Sequence, residues 1–278
     1  MTRATDVDAA LSLDALRKHF GGVKAVDDLT LQVPAGSIYG LMGPNGAGKT
    51  TIVNLITGFL TPDLGRVKLH GDDITGYPAH KVAGHGVSRT YQNVRLFPGL
   101  TVLETVMAGF HRHRTSRIWQ SILFTAAERR ERREVAEQAR ELLRRVGVEA
   151  PPERIGTTLP YGEQRRLEIA RALATGPRLL LLDEPTAGMN ASESAELGDL
   201  MRQLQSDGLT LVLIEHNIKL VLEYCELAAV VHFGRLLVED VPSVCVQNPD
   251  VQEAYFGKQS DAERVESLLQ LRSDQGGH

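Results

Sequence analysis

The segment Gly43-Pro-Asn-Gly-Ala-Gly-Lys49-Thr50 follows an apolar run at residues 37–42 and precedes a helix predicted over residues 49–59. It matches the pattern G-x-x-x-x-G-K-[ST], in the strand, loop and helix context in which that pattern wraps a phosphate group. Glycine is needed because the loop must approach the phosphate closely, with backbone angles that a Cβ atom forbids. We expect the amide groups from Gly46 to Thr50 to point at a β-phosphate, beside the positive end of the helix dipole. The segment therefore predicts a site for a nucleoside triphosphate.

Four side chains define the chemistry expected at this loop. Lys49 supplies a positive charge toward the β- and γ-phosphates, and Thr50 supplies a hydroxyl group for Mg²⁺. Asp183 follows a run of leucines at residues 179–182, so its carboxylate is expected at the carboxyl end of a buried strand, where open α/β sheets bind ligands. We expect Asp183 to hold Mg²⁺ through water and Glu184 to act as general base for an attacking water. An Asp-Glu pair after a strand is common by itself, so this interpretation depends on the phosphate loop.

Length, charge and cysteine content restrict the class of protein. The chain has 278 residues, of which 42% are apolar, and 31 basic against 35 acidic side chains leave a net charge of −4. This balance argues against a nucleic-acid-binding domain, which is usually basic. Cys225 and Cys245 form no CxxC pair, so neither a zinc site nor a disulfide framework is expected, and a reducing compartment fits best. No apolar run approaches the roughly 20 residues that cross a bilayer. We expect any membrane role to come through a partner.

Apolar runs of strand length alternate with helical segments, which is typical of an α/β layered fold. Strands are predicted at residues 37–42, 66–69, 87–91, 179–182 and 209–214, helices at 49–59, 101–110 and 126–146, and a late hairpin at 228–233 and 235–239.

The middle of the chain is basic. Residues 111–145 contain ten Arg and five Glu. One interpretation is a solvated helix with i,i+4 ion pairs such as Glu141 with Arg145. The other is a basic face for anionic lipid or for acidic loops of a partner.

Three further motifs follow the phosphate loop. Thr90-Tyr-Gln92 resembles the Q-loop of ABC-type ATPases, Leu159-Pro-Tyr-Gly-Glu-Gln164 resembles their signature loop, and Ile214-Glu-His216 resembles the segment that carries their switch histidine. Four motifs in this order are highly specific, and the resemblance covers about residues 8–257.

The resemblance implies a fold with three parts. A P-loop NTPase (RecA-like) α/β core, with an antiparallel β subdomain, is expected at residues 8–91 and 164–257. A helical subdomain is expected at residues 92–163, with the signature loop at its end. Residues 258–278 are expected to form a C-terminal tail.

The resemblance also implies a mechanism. In this family two ATPase subunits face head to tail, and each ATP lies between the phosphate loop of one subunit and the signature loop of the other. Glu184, His216, Gln92 and Lys49 are the implied catalytic residues, and Thr50, Gln92 and Asp183 are the implied Mg²⁺ residues. The implied nucleotide-binding residues are Phe20, Asn45, Gly46, Ala47, Gly48, Lys49, Thr50, Thr51, Tyr161 and Gly162. Phe20 would stack on adenine, although a core phenylalanine is the alternative.

Several segments narrow the resemblance to one group of the family. Residues 89–98, 161–172, 187–190, 215–221 and 248–257 look like those of the ATP-binding subunits of importers for branched-chain amino acids, and urea and amide importers look similar. The implied partners are membrane permeases, a second ABC ATPase and, indirectly, a solute-binding protein, with no direct contact to nucleic acid. The expected location is the cytoplasmic face of the inner or plasma membrane, with permease docking around residues 92–100.

Three other functions remain as alternatives. A lipid or lipopolysaccharide exporter ATPase would look much the same. A soluble ABC ATPase acting on DNA would carry a coiled-coil or zinc insertion between the phosphate loop and the signature loop, and this sequence has no such insertion. One acting on ribosomes would carry two cassettes, and this sequence has one. A plain P-loop GTPase would need an Asn/Thr-Lys-x-Asp motif, which is absent.

The sequence departs from the family pattern at three positions. Pro160 stands where the signature loop usually has Ser, Tyr161 stands where it usually has its first Gly, and Asn190 stands near the place of the usual D-loop Asp. Proline lacks both the hydroxyl and the N–H that could reach a γ-phosphate. We therefore expect an asymmetric pair of ATPase sites, in which the site completed by this chain's Pro160 is the slower one.

Overall fold

Two β-sheets form the framework of the chain in a computed structural model that describes residues 8–110 and 126–256. The strands are β1 (Ala9–Phe20), β2 (Val23–Pro34), β3 (Ile38–Met42), β4 (Leu64–Leu69), β5 (Asp72–Asp73), β6 (Val87–Arg89), β7 (Leu179–Asp183), β8 (Thr210–Glu215), β9 (Leu227–His232) and β10 (Arg235–Asp240). The described helices are α1 (Lys49–Ile56), α2 (Ala79–Gly84), α3 (Val102–Gly109), α4 (Ala126–Arg145), α5 (Tyr161–Leu173), α6 (Ala191–Ser206), α7 (Ile218–Tyr224), α8 (Pro242–Gln247) and α9 (Pro249–Phe256). The predicted tail at residues 258–278 lies outside the described residues.

The larger sheet has six strands in the order β10-β9-β3-β8-β7-β6. β3 pairs in parallel with both β8 and β9, and β7 pairs in parallel with β8 and β6. Every residue of β3 and β8 is buried, as expected for strands covered on both faces. The hairpin predicted around Gly234 is confirmed as the antiparallel pair of β9 and β10.

The smaller sheet is antiparallel, with the order β2-β1-β4-β5. Its apolar face packs with α1 and one face of the larger sheet in a core that includes Leu13, Leu31 and Ile52. Helices cover the other face of the larger sheet in a second core that includes Leu167, Leu197 and Leu213. This arrangement confirms the predicted α/β core with an antiparallel β subdomain.

Two predicted elements end two or more residues earlier in the structure than expected. α1 ends at Ile56 rather than at residue 59, because Gly58 adopts a left-handed φ of +73° and its N–H bonds the carbonyl of Leu55, a common way to terminate a helix. β6 ends at Arg89 rather than at residue 91.

Helices α3, α4 and α5 pack against one another between β6 and β7 in the chain. Residue 163, where the helical subdomain was expected to end, lies in the first turn of α5, so the exact boundary stays a prediction. The expected i,i+4 pair of Glu141 with Arg145 is wrong. Arg145 instead reaches Asp207, after the end of α6, while Glu141 pairs with Arg144.

The parallel strands bring the predicted motifs to one edge of the larger sheet. The phosphate loop follows β3, Asp183 ends β7 and His216 follows β8. Because β7 and β3 both flank β8, the three carboxyl ends lie side by side. None of the helices in the described ranges is long and apolar enough to cross a membrane.

Candidate nucleotide site

The loop between β3 and α1 has the backbone that its glycines predict. Gly46 has a φ of +80° and Gly48 a φ of +103°, angles that favour glycine. A Cβ atom at Gly48 would lie 2.4 Å from the carbonyl oxygen of Ala25, and one at Gly43 would lie 2.2 Å from that of Val231. A Cβ at Gly46 would meet no protein atom within 4 Å, because this residue borders an open cavity. Gly43 and Gly48 are thus needed because the neighbouring backbone leaves no room for a Cβ atom. Gly46 instead leaves the cavity beside the loop open.

A cavity of about 370 Å³ lies over this loop. Residues 45–51, Gln92, Asp183 and Glu184 line it, so the structure brings together most of the predicted site. Lys49 is only 8% exposed, and its amine donates to the carbonyl oxygens of Gly43 and Pro44. Burial lowers the pKa of the Lys49 amine, while the negative charges of Glu184 and Asp183 oppose that shift.

Glu184 bonds two of the other predicted catalytic residues, Gln92 and His216. The side-chain amide of Gln92 donates to Oε2 of Glu184 at 2.8 Å, and Nδ1 of His216 lies 3.1 Å from Oε1. The backbone of Glu184 has a φ of +43°, a conformation that costs a non-glycine residue of order 1–3 kcal/mol and is typical of functional sites. The N–H of Glu184 bonds the carbonyl of Ile214 at 2.9 Å, which ties this strained residue to the end of β8.

Asp183 is held by Arg89, a residue that the sequence analysis did not single out. One guanidinium nitrogen of Arg89 donates to Oδ2 of Asp183 at 2.7 Å, and the other donates to Oδ1 of Asn54 on α1, also at 2.7 Å. The Arg89 and Asp183 side chains are only 10% and 14% exposed. The carboxylate predicted to face Mg²⁺ therefore has one oxygen occupied by an internal cation.

The arrangement fits the phosphates of a nucleotide and a divalent cation. Residues 45–51 of the loop and Asp183 line an open cavity. Lys49 adds a positive charge to this lining, and the hydroxyl of Thr50 and the carboxylate of Asp183 are oxygen ligands of the kind that Mg²⁺ prefers. No group of three or more His, Cys, Asp and Glu that could hold a metal ion by themselves occurs in the described ranges, this cavity included.

Four predicted residues do not line this cavity: Phe20, Tyr161, Gly162 and His216. His216 reaches the site through Glu184. Phe20 is 48% exposed and pairs with Val23, a residue of the cavity wall, across the turn between β1 and β2. Tyr161 is 39% exposed and lies against Gly188. Gly162 is buried beside Glu193.

The turn between β9 and β10 also contributes to the cavity, which sequence reasoning missed. Phe233 and Gly234 line it, and the N–H of Gly234 bonds the carbonyl of Ala47 at 2.8 Å. Phe233 is 75% exposed. The only sequence feature that could have pointed here is the glycine of a two-residue hairpin turn.

Two of the departures from the family pattern are helix N-cap residues. Pro160 precedes α5 as its N-cap residue. Asn190 is the N-cap of α6, where its side chain accepts the N–H of Glu193 at 2.9 Å and the Glu193 carboxylate accepts the N–H of Asn190 at 3.0 Å. Asn190 thus forms a capping box, which explains why an amide is suitable at this position.

Comparisons with known proteins agree with this geometry. The family model described as ABC transporter matches residues 26–187. The chain is 42% identical to the high-affinity branched-chain amino acid transport ATP-binding protein BraF of Pseudomonas aeruginosa, over 89% of this chain and 98% of the relative. It is 34% identical to the lipopolysaccharide export system ATP-binding protein LptB of Acidithiobacillus ferridurans, over 90% and 97%.

A solved structure has the same fold. The crystal structure of a nucleotide-free ATP-binding cassette from an ABC transporter superposes with a TM-score of 0.78 at 30% identity, covering 90% of this chain and all of that one. A second structure, of the ADP conformation of the cassette MJ1267, gives the same TM-score at 29% identity. The phosphate loop, the carboxylate pair and these matches lead to one conclusion: the chain belongs to the ABC transporter family, as an ATP-binding and ATP-hydrolysing subunit.

Proposed function

We propose that this ATPase subunit powers the import of branched-chain or related amino acids through partner permeases. The observation that carries the proposal is the 42% identity to BraF over nearly the whole length of both chains. The identity to LptB is lower, at 34%, so lipopolysaccharide export is the second candidate. The chain would act as a peripheral subunit on the cytoplasmic face of the membrane.

The residues of the site have distinct roles in this proposal. Lys49 and the amides of the phosphate loop would hold the phosphates, with Asn45 and Thr51 at the cavity wall. Thr50, Asp183 and Gln92 would hold Mg²⁺, which supplies charge neutralisation when bound. Glu184 would accept a proton from the attacking water, and His216 and Gln92 orient Glu184 through the bonds at 3.1 and 2.8 Å. Phosphoryl transfer needs mainly positioning and charge stabilisation, so the proposal requires no covalent nucleophile.

A second ATPase subunit would complete each site. Tyr161 and Gly162 begin α5 outside the chain's own cavity, and the Tyr161 side chain is partly exposed. The positive end of the α5 dipole is therefore available to a γ-phosphate held by another subunit. Phe20, at the turn beside Val23, remains the candidate to stack on adenine.

The permease would dock beside the loop at residues 92–100. A largely apolar cavity of about 570 Å³ is lined by side chains that include Phe59, Tyr91, Phe97 and Arg171. Phe59 and Phe97 are 57% and 58% exposed, and exposed aromatic side chains together with arginine are typical of protein interfaces. Leu100, the last residue of the expected docking loop, is not among the lining residues.

The test uses Glu184→Gln as bait in native membranes solubilised with detergent. This variant should bind ATP but lose hydrolysis by about 10²–10⁴-fold, the usual contribution of a positioned base, and so retain its partners. Glu153→Gln, at an exposed position, is the matched control and should hydrolyse ATP normally. Recovery of a permease pair and a second ATPase, with loss of labelled leucine uptake in a deletion strain, is the expected result. Recovery of an outer-membrane lipid-export complex, or of ribosomes, would overturn the import proposal but not the assignment of the chain as an ATPase.

A further inference from the structure

One face of α5 is built from three charged residues at i, i+3 and i+6. They are Arg165, Glu168 and Arg171, and the first two side chains are 0% exposed. Buried charges of this kind are rare unless they are paired and hydrogen-bonded. This face of α5 lies against residues 91–95, which comprise Tyr91 and Gln92 of the Q-loop and the three residues that follow.

The guanidinium of Arg165 contacts three of the segments described above. Nη1 donates to the backbone carbonyl of Tyr91, and Nη2 donates to that of Gln92 at 2.6 Å. Nη2 also lies 3.1 Å from the Tyr161 hydroxyl oxygen and 3.5 Å from the carbonyl oxygen of Glu184. A single planar group therefore touches the Q-loop, the signature loop and the backbone of the proposed general base.

The neighbours of Arg165 hold the same loop. Oε1 of Glu168 accepts the N–H groups of Tyr91 and Arg95, both at 3.4 Å, and Oε2 accepts Nη1 of Arg165 at 3.0 Å. Arg171 donates to the carbonyl of Arg95 at 2.6 Å. The backbone of residues 91–95 is thus held at both ends by side chains of α5.

Stability alone is a weak explanation for this cluster. A buried ion pair is often no more stabilising than apolar residues of the same volume, because desolvation offsets the Coulomb attraction. In addition, the Nε–H of Arg165 is buried without an acceptor among the described residues. What the five-donor fork of arginine supplies is fixed geometry toward several carbonyl groups at once.

We propose that Arg165 is a positioning residue for ATP hydrolysis, which sets the Gln92 side chain relative to Glu184 by holding the carbonyl groups of Tyr91, Gln92 and Glu184. Gln92 extends from this backbone to Oε2 of Glu184 at 2.8 Å, so a displacement of the loop displaces the amide from the carboxylate. The inference rests on the proposed role of Gln92. It adds that the loop takes its position from α5, the helix that begins at the signature loop.

The test compares Arg165→Lys with Arg166→Lys in the full chain. Lysine keeps the charge but loses the planar fork. Arg166 is the matched control because it is also an ion-paired arginine of α5, but it contacts the Val146 carbonyl and Glu196 instead of the Q-loop. We expect Arg165→Lys to lower kcat at least tenfold with KM for ATP within twofold, and Arg166→Lys to leave both within twofold. A kcat for Arg165→Lys within twofold of the unmodified chain would overturn the proposal.

Hydrogen exchange provides a readout that does not depend on activity. In the unmodified chain, the amides of Tyr91 and Arg95 should exchange slowly, and in Arg165→Lys they should exchange at least tenfold faster. If both amides of the unmodified chain exchange as fast as those of an unfolded peptide, α5 does not hold residues 91–95 in place and the proposal is refuted. This result does not require any variant to fold. Arg165→Gln combined with Glu168→Gln removes both buried charges together, and we expect the same loss of kcat from this pair.

A double-mutant cycle with Gln92→Ala separates the inference from the proposed function. If Arg165 acts through Gln92, Arg165→Lys should lower kcat less than twofold further in the Gln92→Ala background. Fully multiplicative losses would refute coupling through Gln92. An unchanged kcat for Gln92→Ala alone would instead refute the role proposed for Gln92.

Discussion

At the scale of single residues, the ion pair of Arg89 with Asp183 should contribute measurably to the free energy of unfolding. Arg89→Met would leave Asp183 without its cation in a setting where both side chains are largely buried. Removing one partner of a buried ion pair typically costs 3–5 kcal/mol, and because some exposure remains we expect about 2–3 kcal/mol here. Urea unfolding without nucleotide measures this loss.

Arg144→Met is the control for that measurement. Arg144 pairs with Glu141 on the surface of α4, where the two side chains are 72% and 62% exposed. Exposed ion pairs contribute little, so we expect this variant to change the free energy of unfolding by less than about 0.5 kcal/mol. Equal losses in the two variants would contradict the importance assigned to the Arg89 contact.

The predictability of each site residue follows from its place in the chain. Lys49, Thr50 and Asp183 could be found from the sequence because they stand at the ends of strands that share one sheet edge. Arg89 could not, since its partners Asn54 and Asp183 are 35 and 94 residues away and no spacing rule relates them. Arg165 was passed over for the same reason: its partners are backbone carbonyl groups of a distant loop.

At the scale of elements, the cap of α6 gives a clear prediction. Asn190→Ala would remove the acceptor for the Glu193 N–H and should lower the free energy of unfolding by about 1 kcal/mol. Asn190→Asp keeps an oxygen acceptor at a helix N-terminus and should stay within about 0.5 kcal/mol. Chemical denaturation of the two variants tests the cap, and an equal loss in both would mean that the side-chain oxygen is not what matters.

The start of α5 tests the expected asymmetry between the two ATPase sites. Pro160→Ser would add a backbone N–H and a hydroxyl at the N-cap of α5, next to the partner's γ-phosphate in the proposed dimer. We expect turnover of the assembled complex to rise at least about threefold, since added transition-state donors act strongly in such sites. Pro151→Ser, an exposed proline of the same region, should change nothing. An unchanged turnover for Pro160→Ser would refute the hypothesis that the site completed by Pro160 is the slower of the two ATPase sites.

Elements were predictable where the apolar pattern was unbroken. The continuous runs of β3, β7 and β8 were found from the sequence, but β1 was not. Two features interrupt its alternation: Ala15 has a φ of +46°, and the register with β2 shifts at several points between Ala9 and His19. Bulges of this kind break the period of two on which strand recognition depends.

At the scale of the whole molecule, the site is where separate layers meet. The phosphate loop belongs to the larger sheet, yet its glycines pack against Ala25 of the smaller sheet and Val231 of β9. The N–H of Asp27 bonds the carbonyl of Gly234 at 2.9 Å, which joins β2 to the turn that lines the cavity. The shape of the nucleotide cradle therefore depends on the docking of the two sheets, a property that the phosphate-loop pattern alone does not contain.

The pH dependence of global stability should reveal the buried Glu215, which is 2% exposed. Burial raises the pKa of this carboxyl above its ordinary value of 4.5, against the lowering effect of the Asn217 N–H and His216. The native state then binds more protons than the unfolded state in the window above pH 4.5, so the stability associated with Glu215 is lost as pH rises through its folded pKa. Glu215→Gln lacks this loss, and its single amide oxygen can still accept from either the Thr186 hydroxyl or the Asn217 N–H, which bond different carboxylate oxygens of Glu215. Relative to the unmodified chain, we expect Glu215→Gln to gain stability between pH 4.5 and 7.5, and the exposed Glu153→Gln to show no such trend. Urea unfolding at several pH values measures the difference, and a gap that stays constant with pH would contradict a raised pKa for Glu215.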